Sequence, residues 1–188
     1  MLDEEYDPQQ IADYGVRAQP ALAAAMRPQL KLAQAGLAAA VLAVVASAVA
    51  LFTFPSFNDD GTGRRWAVAA LVTSVVMLAI CAVQYLAWVR AMAEWRGERD
   101  YDLTSWIRAS WILHLVSYAV VVLGLWACIA ASIAAGTTAT AASLLAVALL
   151  FLIGAQVLGG VQYLRVSGPS GTIPSHLRRL AAEIERRR

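Results

Sequence analysis

The chain has 188 residues, of which 60% are hydrophobic and 15% charged, with a net charge of +2 at pH 7. A soluble domain of this size carries about a quarter charged residues, so the balance excludes an ordinary water-soluble fold. Nothing in the sequence suggests nucleic-acid recognition, and Cys81 and Cys128 lack the C-x-x-C spacing of a redox pair, reading instead as small buried hydrophobes.

Residues 1–31 form the longest polar segment, acidic at first (Asp3, Glu4, Glu5, Asp7, Asp13) and then basic (Arg17, Arg27, Lys31). Acidic leaders are usually solvated. Leu22, Met26 and Leu30 can face a membrane beneath Arg27 and Lys31, and Pro28 is expected to bend any helix there. The first apolar run begins at Leu32 and exceeds 20 residues, longer than a signal-peptide core, so no cleaved leader is expected. It predicts a first span over about 32–54, with Ala35, Ala39, Ala43, Ala46 and Ala50 as a smooth packing face. A second span is predicted over about 66–89, after a loop bearing Asp59, Asp60, Arg64 and Arg65.

Between Arg108 and Arg165 there are 56 positions without Asp, Glu, Lys or Arg. As a helix that stretch would run about 84 Å, against a hydrocarbon core of ~30 Å. It must cross a bilayer twice, turning at Gly136-Thr137-Thr138, with spans over about 109–134 and 138–164. In the third span Ser110, His114, Ser117, Val121, Gly124, Cys128 and Ala131 recur at steps of three and four. That small, partly polar seam is expected to face the bundle interior, with Trp111, Tyr118 and Leu125 as a bulky stripe beside it. The fourth span offers Gly154, Ala155, Gly159 and Gly160 for close packing. In the tail, 166–188, Ser175 reads as an N-cap, and Leu177, Leu180, Ala181 and Ile184 make an apolar stripe opposite arginines. The expectation is an all-α membrane protein: a four-helix transmembrane domain over 32–165, followed by a short basic amphipathic helix.

Thirteen basic residues fall on one side of this arrangement and two, Arg64 and Arg65, on the other. The positive-inside rule then places both termini in the cytoplasm of a bacterial inner membrane. Tyr85, Trp88, Trp95, Trp106, Trp111 and Tyr163 gather near that interface as an anchoring belt, and Phe52, Phe54, Phe57 and Trp66 mark the opposite surface.

Two spans end alike, Val83-Gln84-Tyr85-Leu86 and Val161-Gln162-Tyr163-Leu164, 78 residues apart. The pattern suggests a duplicated helical hairpin, although the first and third spans align poorly at that offset. Gln84 and Gln162 then sit at equal depth, as reciprocal interhelical glue or as contacts to a headgroup or quinone ring.

His114 is the one ionisable side chain, tyrosine and cysteine apart, well inside a predicted span. Such residues are functional candidates, yet a neutral imidazole flanked by Ser110 and Ser117 can satisfy itself by hydrogen bonding, and that reading weighs more. Haem ligation would need a facing histidine, and His176 lies in the tail. A proton-coupled exporter would need an intramembrane carboxylate, and an intramembrane metalloprotease His/Glu clusters; neither occurs in the spans. Pro169-Ser170-Gly171-Thr172 has Thr where lipid phosphatases have His, and reads as a linker. No cofactor, metal or catalytic set is implied. Gln84, Gln162, His114, Ser117 and Gly124 remain the candidate polar or packing sites.

In topology and composition the four-span body resembles the small helical accessory subunits of actinobacterial envelope lipid importers (the Mce class) and of respiratory supercomplexes. The strong preference for arginine over lysine, with Lys31 the only lysine, accords with a GC-rich actinobacterial genome. The resemblance implies a non-catalytic subunit that stabilises or regulates a larger membrane complex, in contact with membrane lipids. The competing expectation is a small homo-oligomeric transporter or lipid- or quinone-binding protein, with Gln84, Gln162, His114 and Ser117 lining a polar path.

Overall fold

A computed structural model describes residues 27–53, 61–96, 104–135 and 139–167; the side chains of 91, 92, 94–96, 104–111, 135 and 163–167 lie outside that description. It contains four α-helices: α1 (Arg27–Thr53), α2 (Thr62–Arg96), α3 (Thr104–Ala135) and α4 (Ala139–Ser167). Each is long and apolar enough to cross a membrane, so the expected all-α, four-span architecture holds. The tail helix expected after residue 168 falls outside the described residues.

The helices outrun the apolar segments that predict them. The 35-residue α2 extends about 52 Å, well beyond ~30 Å of hydrocarbon, because backbone hydrogen bonding continues after apolar composition ends. At its start Gly61 adopts φ +66° and its carbonyl accepts the first helical hydrogen bond, from Arg65 N at 3.1 Å. Pro28 does not bend α1. It occupies the first helical turn, where a missing N–H breaks no helical bond.

The helices pack as a ring of antiparallel neighbours. α1 lies against α2 and α4, α3 against the same two, and α2 and α4 touch only slightly across the diagonal. Each helix buries one narrow stripe of mostly small residues. Ala40, Ala43, Ala50, Ala67, Ala70, Ala131, Ala141 and Ala148 are all fully enclosed, and Met77, Leu145 and Leu152 are the largest side chains so buried. The outward faces carry the bulk, among them Phe52, Leu86, Leu123, Trp126 and Leu150. This inverts the soluble pattern. Lipid tails solvate large aliphatic side chains as well as a protein core does, so helices associate by bringing backbones close across small residues.

The α3 seam faces inward as its spacing requires: His114, Ser117, Gly124, Cys128 and Ala131 are buried, while Tyr118 is about half exposed. Along α1 the expected alanine face is right only in its second half. Ala43, Ala46 and Ala50 are buried, but Ala35 is exposed and Ala39 intermediate; Ala33, Gly36 and Ala40 take their place. The seven-residue step from 36 to 43 keeps the stripe on one line, which runs back through Ala33 to Gln29. Trp88 also departs from expectation. It is 4% exposed, packed within the bundle rather than anchoring at a lipid surface.

Candidate functional site

Eight polar side chains are buried among the described residues: Gln29, Ser47, Ser74, Gln84, His114, Ser117, Gln156 and Gln162. Ser47 and Ser74 pair across α1 and α2 at 3.0 Å, and Ser74 also reaches the Ala70 carbonyl at 2.8 Å. The other six lie toward the Arg27 end of α1, and most of them join α4 to its two neighbours.

His114 and Ser117 project from consecutive turns of α3 onto α4. The imidazole lies on bare backbone: a Cβ placed on Gly159 would stand 3.0 Å from His114 Nδ1, and one on Gly160 would stand 4.0 Å from Nε2. Two adjacent glycines thus form a shelf for the ring, whose other flank meets Tyr118 edge-on at 5.2 Å. One turn further along, Ser117 Oγ lies 2.5 Å from both the His114 carbonyl oxygen and Gln156 Oε1. A hydroxyl has one proton and can donate to only one of them. Rotating the Gln156 amide by half a turn brings its Nε2 to Ser117, which then donates to the carbonyl and accepts from the amide. As placed, Gln156 Nε2 has no hydrogen-bond partner among the described residues, and neither does Gln29 Oε1. Each keeps the capacity to bind one further polar group.

Gln162 Nε2 donates to the Gln29 carbonyl at 3.1 Å, tying the end of α4 to the first turn of α1. Gln84 is buried at 9% exposure on α2, so both glutamines of the repeated V-Q-Y-L segments are enclosed. Gly124 stands apart from the polar group. A Cβ there would meet Leu152 Cδ1 at 3.0 Å and Thr73 Oγ1 at 3.2 Å, which makes it a contact point of α3 with both α2 and α4. Within the small-residue pair of α4, Ala155 faces Gly36 of α1 while Gly159 faces His114 of α3. A Cβ on Gly154 would meet nothing within 4 Å.

Compared with models of protein families, with curated proteins and with solved structures, the chain matches none.

Of the candidate residues, the fold unites His114 and Ser117 of α3 against α4, and places Gln162, on α4 itself, against α1. Sequence reasoning passed over Gln156 and Gln29. Gln156 sits in the fourth span where the matching position of the second span is Leu78, so the repeat gives it no counterpart. Gln29 precedes the apolar run, and its contribution to Gln162 is a backbone carbonyl, which no side-chain pattern records. Ser47 and Ser74 share no sequence signal beyond being hydroxyls in apolar spans. Among the described residues no three His, Cys, Asp or Glu side chains converge.

Proposed function

We propose that this protein is a non-catalytic accessory subunit that stabilises a larger bacterial inner-membrane complex serving envelope lipid transport, with both termini cytoplasmic. One observation carries the reading: the interior is lined mostly by small residues, its polar groups bond helix to helix, and most of the large aliphatic side chains point outward. Such a body has broad apolar surfaces to offer neighbouring helices. The charge asymmetry, thirteen basic residues against two, supports the orientation. Extraction in mild detergent followed by mass spectrometry of co-purifying proteins tests the proposal. Stoichiometric recovery with a larger assembly is expected; a solitary homo-oligomer would refute it.

The second reading is a small homo-oligomeric transporter or lipid- or quinone-binding protein. It is favoured by the buried polar group at the Arg27 end, where Gln29 and Gln156 each retain an amide atom able to bind a further group. His114→Ala separates the two readings. Full activity of the parent complex with this variant speaks against a polar path through His114.

A further inference from the structure

We propose that the groove between α1 and α2 at the Arg27 end binds one anionic glycerophospholipid. Gln34, Leu37, Ala38, Val41 and Leu42 of α1 and Tyr85 of α2 line it, around a volume of about 540 Å³. The groove opens on the outer surface of the bundle, at the depth of the membrane spans.

Gln34 is the first indication. Of the five glutamines among the described residues, four are buried and Gln34 alone is exposed. An amide facing hydrocarbon is unfavourable unless something polar meets it. The second indication is charge. Arg27, Lys31, Gln34, Ala38 and Val41 follow steps of three and four and so share one face of α1; all five are exposed. α1 contains no Asp or Glu to neutralise that pair of cations.

The vertical order is the third. At 1.5 Å per residue, Lys31 stands about 4.5 Å and Arg27 about 10 Å above Gln34, while Val41 lies about 10 Å below it. Cations come first, then an amide and a phenol, then aliphatic walls. A phospholipid presents the complementary sequence: a phosphate, then the ester and glycerol oxygens, then an acyl chain. Basic pockets between membrane helices recognise anionic headgroups in this way. The surrounding leaflet supplies such a molecule already aligned with the groove, whereas a partner helix would have to bring an anion, a polar group and a smooth apolar side in the same order. The site needs only this chain's α1 and α2, so it stands or falls apart from the accessory-subunit reading.

The test uses the full chain in neutral maltoside detergent, titrated with dioleoylphosphatidylglycerol or dioleoylphosphatidylcholine, with retained lipid counted by native mass spectrometry. One phosphatidylglycerol should be retained in preference to phosphatidylcholine. The double variant Arg27→Gln/Lys31→Gln should weaken phosphatidylglycerol by about 10- to 30-fold. Ala38→Phe, which fills the groove at an exposed position and leaves the cations intact, should also weaken it, and soluble glycerol phosphate should not compete. Equal retention of both lipids overturns the proposal, as does unchanged binding in either variant, which would place the lipid elsewhere. Competition by glycerol phosphate would reassign the site to a free phosphate ester.

Discussion

The shelf beneath His114 makes a quantitative prediction about two glycines five residues apart on one helix. In a helix interior, Gly→Ala is favourable by up to about 1 kcal/mol, because glycine loses more backbone freedom on ordering. At Gly154 nothing lies within 4 Å of the new methyl, so Gly154→Ala should realise that gain. At Gly159 the methyl would stand 3.0 Å from His114 Nδ1 and 3.3 Å from Cε1, whereas comfortable separations begin near 3.5 Å. The ring has little freedom to retreat, being 6% exposed and edge-packed on Tyr118. Overpacking of this kind costs about 1–3 kcal/mol, so Gly159→Ala should fall below Gly154→Ala by roughly that amount and end between neutral and about 2 kcal/mol destabilised. Equilibrium unfolding in mixed micelles of dodecylsulfate and a mild detergent, followed by circular dichroism, resolves such a difference. The decisive comparison is a cycle with His114→Ala. Removing the ring removes the clash, so Gly159→Ala should become favourable in that background, with a coupling of about 1–3 kcal/mol. If the two substitutions simply add, or if Gly159→Ala stabilises as much as Gly154→Ala, the shelf is not a contact and the α3–α4 register described above is wrong.

Three further outcomes are expected. Gly124→Leu should destabilise the bundle more than Leu125→Ala in the same assay, since Gly124 abuts Leu152 and Thr73 while Leu125 lies at the edge of the interface; the reverse order would contradict the inward seam. Ser47→Ala should cost only about 0.6 kcal/mol, and at most about 1.7, because Ser74 keeps its bond to the Ala70 carbonyl; a loss above about 3 kcal/mol would show that the hydroxyl pair does more than join two helices. A membrane-impermeant maleimide should leave the wild-type protein unlabelled in intact cells, because Cys81 and Cys128 are 5% and 2% exposed. In the same cells Thr137→Cys should be labelled and Asp3→Cys should not; the opposite pattern would reverse the proposed orientation.

The bilayer was legible in the sequence because its demand is one-dimensional. A run of 56 residues without a formal charge has to cross hydrocarbon twice, whatever it packs against. The inner face of α3 was legible for a related reason: its small and polar residues repeat at helical spacing, and only one side of a helix can bury them. Along α1 alanines fall on every face of the helix, so composition could not distinguish Ala35 from Ala33, and the true stripe emerged only against α4 and α2. Trp88 shows the converse. An indole near a membrane interface is as well suited to anchoring as to packing, and the rotation of α2 turned it inward.

The candidate site divides along the same line. His114 and Ser117 stood out as polar groups in an apolar helix, but what they meet belongs to another helix. Gly159 and Gly160 looked like a generic small-residue motif, and only the antiparallel register of α4 makes them the bed of an imidazole. Gln156 gains its meaning only by facing Ser117, and no side-chain pattern points to a backbone carbonyl of Gln29 as the partner of Gln162.

By itself the sequence determined the solvent, the number of crossings and the asymmetry of charge, since hydrocarbon tests every residue of a span separately and charge is counted residue by residue. Tertiary structure decided which small residues touch, which polar groups find each other and which glutamine among the described residues stays exposed. Those are properties of pairs set by helix rotation and register, and in helices this uniformly apolar many rotations satisfy the membrane equally well.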